Sequence, residues 1–147
     1  MIVYNDIKRQ FVNDVKDNSI ADKILEAIKM RGLNAGHEKE YSSWQNSMQF
    51  MRNIVDDSDI DDEVRICIEY NIPLTSKRVD FIIAGADNYG KDNIVIVELK
   101  QWQKAEVVAD DMHYCVRTYV ANSDRIVCHP SYQAYSYSCF LRNYSQS

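Results

Sequence analysis

The sequence predicts an α/β (α+β) fold, a mixed sheet flanked by helices. Three observations carry this. Apolar residues recur at helical spacing through the first third. Two middle segments are apolar on both faces and joined by short turns. An aromatic-rich helical segment follows Pro130.

Ile7, Phe11 and Val15 recur four apart, so residues 6–16 read as a helix. Ser19 stands where an N-cap belongs, with Asp22 in the first turn. Ile20, Ile24, Leu25 and Ile28 form the next apolar stripe, and Gly32 follows as a stop signal. Tyr41, Trp44, Met48, Met51 and Val55 mark a third helix from about His37. The acidic run over residues 56–63 lacks the Gly and Glu of a calcium-binding EF-hand and reads as a solvated connector.

Three strand patterns come next. In residues 64–70, Val64, Ile66, Ile68 and Tyr70 alternate with Arg65, Cys67 and Glu69, a half-buried pattern. Residues 78–84 are apolar on both faces except at Asp80, and residues 93–100 until Glu98 and Lys100. That composition marks central strands, and the short connections suit an antiparallel meander. Residues 103–128 are less patterned, with a short helix and a strand near 117–120 expected. Pro130 opens the last helix, residues 131–143.

A chain of 147 residues fits one domain, 1–147, with one core. Hydrophobic residues at 46% and charged residues at 27% exclude a disordered chain. No apolar run approaches the roughly 20 residues of a membrane span. The start, Met1-Ile2-Val3-Tyr4, has no signal-peptide pattern, so no membrane association and a cytoplasmic location are expected. Cys67, Cys115, Cys128 and Cys139 form no CxxC knuckle and read as small buried thiols. His37, His113 and His129 fall in no HxH or HExxH pattern, and His129 suits a cap before Pro130. A net charge of −5 counts against strong non-specific gripping of phosphates by this chain alone.

Asp80, Glu98 and Lys100 interrupt apolar strands, and a buried charge needs a partner or a site. In a strand, Glu98 and Lys100 share one face and Leu99 takes the other. Asp80 is early in its strand and Glu98 late in the next, so a hairpin brings them to one end. Two carboxylates there would hold Mg²⁺ (or Mn²⁺), which polarises a phosphoryl oxygen and acidifies bound water. A lysine beside them would orient or deprotonate that water, or neutralise developing charge. The alternative is a structural ion pair.

Val79-Asp80-Phe81-Ile82-Ile83 followed by Ile94-Val95-Ile96-Val97-Glu98-Leu99-Lys100 resembles the core of the PD-(D/E)XK nuclease superfamily. Gln133-Ala134-Tyr135-Ser136-Tyr137 resembles the QxxxY pattern of its RecB-like branch. The resemblance implies a restriction-endonuclease-like core in which Asp80 and Glu98 hold metal and Lys100 acts on water. It also implies that Gln133 and Tyr137 position substrate. Glu40, on the helix before the sheet, would join the metal site. Glu69, on the strand face opposite Ile68 and Tyr70, could face the site as a further metal ligand or pair with Lys77 or Arg78, and Arg78 is a candidate substrate contact.

A longer resemblance includes Ser43-Trp44-Gln45-Asn46-Ser47, Thr75-Ser76-Lys77-Arg78-Val79-Asp80-Phe81, Glu98-Leu99-Lys100-Gln101-Trp102 and His129-Pro130-Ser131-Tyr132-Gln133-Ala134. These look like the N-terminal region of bacterial proteins in which a nuclease-like domain precedes a superfamily-1 helicase-type domain. No Walker A sequence is present, so any ATPase would belong to such a further domain.

The superfamily's last core strand is not evident. Either the chain is part of a longer protein, or residues 107–128 supply a replacement. An open sheet edge would invite pairing with another copy. An iron–sulfur cluster is not expected. The implied function is a Mg²⁺-dependent deoxyribonuclease; the alternatives are an inactive nucleic-acid-binding or assembly domain and an RNA-directed nuclease of the same fold.

Overall fold

A computed structural model describes residues 2–32, 38–73, 75–109 and 112–144. His37, the expected start of the third helix, lies outside them. The chain gathers into two compact units, residues 1–97 and 98–147, where one domain with one core was expected.

The first unit contains β1 (Tyr4–Ile7), α1 (Lys8–Lys16), α2 (Ile20–Met30), α3 (Glu38–Val55), β2 (Arg65–Asn71), β3 (Arg78–Ala86) and β4 (Asp92–Val97). The sheet order is β1-β2-β3-β4, and every pair is antiparallel. The first helix begins later than its apolar spacing suggests, because Tyr4–Ile7 pairs with β2 from Tyr4↔Ile68 to Ile7↔Arg65. Sheet pairing overrides a helical pattern at its first turn.

The three helices bury the stripes that their spacing implies: Phe11 and Val15, then Ile20 and Ile24, then Trp44, Met48, Met51 and Val55. Phe11 meets Phe81 of β3 edge-on, with ring centroids 5.4 Å apart. Burying each large side chain of this kind contributes about 1.5–3 kcal/mol relative to exposure. Ser19 precedes α2 as expected, but its hydroxyl donates to the Asp14 carbonyl at 3.2 Å instead of capping. Gly32 ends α2 with φ 68, a conformation that other residues adopt at a cost.

Two buried polar centres tie α1 to its surroundings. Asp14 accepts from the Tyr4 hydroxyl at 2.8 Å, from Gln10 Nε2 at 2.7 Å and from Lys23 Nζ at 2.7 Å. Burial, and then the Asp14 carboxylate, push the Tyr4 phenol far above its ordinary range. Lys8 is the second centre. Its ammonium donates to the carbonyls of Asp57 and Ile60 and pairs with Asp62 at 3.1 Å. The acidic connector therefore exposes most of its carboxylates, as expected, while its backbone wraps a buried cation.

β3 is central, between β2 and β4, as its apolar composition implies. Gly85 sits where an added Cβ would come within 2.8 Å of Val64, so this strand position has no room for a side chain. The sequence also placed β4 centrally, and here the structure corrects it. β4 is the sheet's edge, with Ile94 and Val95 more than half exposed. It also stops at Val97, short of the triplet.

The second unit contains β5 (Glu106–Val107), β6 (Cys115–Val120), β7 (Ser123–Cys128) and α4 (Pro130–Tyr144). A strand near 117–120 is found as β6. The short helix expected within 103–128 is not, because these residues form an antiparallel sheet of order β5-β6-β7. That sheet is separate from the first and adds no strand to β4. Ala121 and Asn122, with φ 49 and 62, make the two-residue turn whose twist suits a hairpin. Pro130 opens α4 as expected. Among the described residues no helix is long and apolar enough to cross a membrane.

Asp14→Ala removes the shared acceptor of Tyr4, Gln10 and the half-exposed Lys23. It should destabilise the protein by about 2–4 kcal/mol, read as a lowered urea midpoint.

Candidate active site

The β2–β3 ladder is interrupted at one position. Ile68 pairs with Phe81 and Tyr70 with Val79, but the intervening pair, Glu69 with Asp80, is missing. Glu69 has φ 57 in mid-strand. A left-handed conformation costs a residue with a side chain about 1–2 kcal/mol. Such strain in a strand often marks a functional position.

Glu69 is buried, and protein groups engage both its oxygens. Oε1 accepts from Trp44 Nε1 at 3.0 Å. Oε2 forms an ion pair with Arg78, a charge contact without the alignment of a hydrogen bond. The Arg78 pairing left open by the sequence is thus the arrangement found.

Burial pushes the Glu69 carboxyl above its ordinary value. Arg78 and the Trp44 bond oppose this, and the charges of Asp80 and Glu40 add to it. Glu40 lies one turn before Trp44 on α3 and is exposed. Asp80 is half-buried between the buried Val79 and Phe81. In the first unit, then, Glu69 lies within the field of both Glu40 and Asp80.

The remaining candidates belong to the second unit. Because β4 ends at Val97, strand parity no longer places Glu98 and Lys100 on one face. They meet directly instead: Lys100 Nζ donates to Glu98 Oε1 at 2.6 Å, with the Glu98 side chain only 3% exposed. Lys100 Nζ is also 6.0 Å from the centre of the half-buried Trp102 ring. On α4, Gln133 Nε2 donates to the Tyr137 hydroxyl at 2.7 Å, as residues four apart on one helical face allow. His129 caps that helix, its Nδ1 accepting from the Ser131 N–H at 3.1 Å. A cleft of about 650 Å³ is lined by Gln101, Gln103, Lys104, Tyr119 and Asn122 among others.

Chain connectivity relates Asp80 to Glu98. Phe81↔Val97 is the last pair of the β3–β4 ladder, with Asp80 one residue before Phe81 and Glu98 one after Val97. Among the described residues, no three His, Cys, Asp or Glu side chains gather closely enough to hold an ion by themselves. Mg²⁺ does not require three. It is commonly bound by one or two carboxylates, with water and substrate oxygens completing its shell. The carboxylates of Asp80 and of Glu98 are hard oxygen donors of the kind such a cation takes.

No family model, curated protein or solved structure matches the chain. Of the groups now visible, the Trp44–Glu69 bond and the left-handed turn at Glu69 have no separate signature in the sequence. The only hint was a glutamate on a strand that is otherwise mostly buried.

The raised Glu69 carboxyl has a testable sign. Between the ordinary value of 4.5 and the higher folded value, the folded state holds the proton more tightly. Stability from this group is therefore full below 4.5 and is lost as pH rises through the folded value. Urea unfolding across that range should show Glu69→Gln gaining stability relative to the unmodified protein as pH rises. A constant difference would place the raised carboxyl elsewhere.

Proposed function

We propose that this protein is a metal-dependent nuclease of the PD-(D/E)XK type that hydrolyses phosphodiester bonds, in DNA in preference to RNA. The observation that supports the reading is that Asp80 and Glu98 both come next after the terminal Phe81↔Val97 pair, at the same end of the β3–β4 ladder, with Lys100 bonded to Glu98. Asp80 and Glu98 would hold Mg²⁺ or Mn²⁺, which supplies Lewis acidity toward a phosphoryl oxygen. Lys100 would donate an N–H hydrogen bond that orients the attacking water or neutralises the developing negative charge. Gln133 and Tyr137, already bonded to each other, orient a phosphate or sugar oxygen. The cleft beginning at Gln101 offers amides, a lysine and an aromatic ring to a neighbouring nucleotide. Glu40 contributes negative field. Glu69, joined to Trp44 and Arg78, positions the Asp80 strand and would supply a further carboxylate to the metal, and Arg78 a positive charge to a substrate phosphate.

The second reading is a non-catalytic nucleic-acid-binding or assembly domain. The direct Lys100–Glu98 ion pair favours it, because that contact is also what a purely structural pair would make. Both readings admit a helicase-type domain elsewhere in a longer protein and pairing with a second copy along β4.

The experiment is a cleavage assay on single- and double-stranded DNA, and on RNA, with Mg²⁺ or Mn²⁺ and with chelator. Cleavage should require metal and fall at least about a hundredfold in Lys100→Ala and Asp80→Asn. Equal cleavage by all three proteins would identify a contaminant. Binding without cleavage by any of them would favour the second reading.

A further inference from the structure

Cys115 and Cys128 are direct partners across the β6–β7 pair. One step along that ladder, the His129 N–H donates to the Tyr114 carbonyl at 2.7 Å. This makes Tyr114/His129 a hydrogen-bonded position. Such positions alternate with non-hydrogen-bonded ones in an antiparallel pair, so Cys115/Cys128 is of the second kind. In keeping with this, the Cys115 N–H donates elsewhere, to the Met112 carbonyl at 2.9 Å. Partners at a non-hydrogen-bonded position have Cα atoms about 4.5 Å apart and their side chains at closest approach on one face. That separation falls within the roughly 4.4–6.8 Å that a disulfide spans.

The face is open. Cys128 is exposed and Cys115 half-buried, and both thiols are free. Arg117, Tyr119 and Ile126 on the same face are exposed, whereas Val116 and Thr118 on the opposite face are buried. The composition had suggested four buried thiols; only Cys67 is buried, Cys115 and Cys139 are half-buried, and Cys128 lies on the exposed side of its strand. Cys67 stays buried, and burial pushes its thiol upward, away from the reactive thiolate.

We propose that Cys115 and Cys128 are a thiol–disulfide exchange site that a small disulfide oxidant, such as oxidised glutathione, links reversibly. The Cys128 thiolate attacks one sulfur of the oxidant, forming a mixed disulfide and releasing one thiol. The Cys115 thiolate then attacks the Cys128 sulfur, closing the internal bond and releasing the second thiol. The two cysteines lose two electrons and two protons, and the oxidant becomes two thiols. The bond staples the open end of the hairpin, opposite the Ala121-Asn122 turn and one residue before the His129 cap of α4. It is independent of the nuclease reading.

The test is to incubate the full chain with oxidised glutathione and follow intact mass and non-reducing peptide maps. The main product should lack two hydrogens, carry a single Cys115–Cys128 linkage and revert on addition of a reducing thiol. Cys115→Ser, lacking the second nucleophile, should instead retain a glutathione adduct on Cys128. In denaturant the same oxidant should give scrambled pairs that include Cys67 and Cys139. A glutathione adduct persisting on Cys128 in the unmodified folded chain would overturn the proposal. So would a different pairing in the folded state, or no reaction.

Discussion

The burial of one carboxylate in the middle of β2 constrains the first unit more than any other single contact. Glu69 cannot stay there charged without partners, because an isolated buried ion costs several kcal/mol. Trp44 comes to it from α3 and Arg78 from the start of β3. One side chain thus joins a helix to two strands. The strand's geometry yields to this demand: the backbone at Glu69 turns left-handed and the ladder loses its Glu69–Asp80 pair. Asp80 consequently lacks a register partner on β2, although Val79 and Phe81 on either side of it have theirs. Asp80 is nonetheless fixed in the strand by its buried neighbours Val79 and Phe81.

Charge is unevenly distributed between the two units. Residues 1–97 contain 12 Lys and Arg against 17 Asp and Glu, whereas residues 98–147 contain five of each. The whole net charge of −5 therefore belongs to the first unit. The second unit also carries six of the ten tyrosines. Tyr114, Tyr132 and Tyr135 are exposed in a row, with ring centroids 4.3 and 6.4 Å apart. The repulsion that net charge implies toward phosphates is thus a property of the first unit alone.

Much of this was legible in advance where a periodic pattern met a strong boundary signal. The three helices of the first unit, β2, β3 and the Pro130 helix appear within a few residues of where spacing and caps place them. So does the Gln133–Tyr137 contact, because helical geometry alone brings residues four apart together. The failures have a common cause. Tyr4–Ile7 becomes a strand only through pairing with β2, some sixty residues away in the chain. β4 looked central because Ile94 to Val97 are all apolar, but composition does not reveal whether a further strand is present to cover them. The Glu98-Leu99-Lys100 triplet was read by strand parity, which requires the strand to continue; it ends one residue too early.

That early end bears on the chemistry of the triplet. On a continuing strand, Glu98 and Lys100 would be held about two residues' rise apart, roughly 6–7 Å along one face. Off the strand they close to 2.6 Å, and the nearly buried Glu98 carboxylate binds the ammonium directly. An ammonium carries three donors. With one committed to Glu98, the nitrogen is fixed in place while it can still serve a water or phosphoryl oxygen. The contact that looks like a structural ion pair is therefore also a preorganised one. It holds an ammonium and a carboxylate in direct contact without requiring the strand to extend through them.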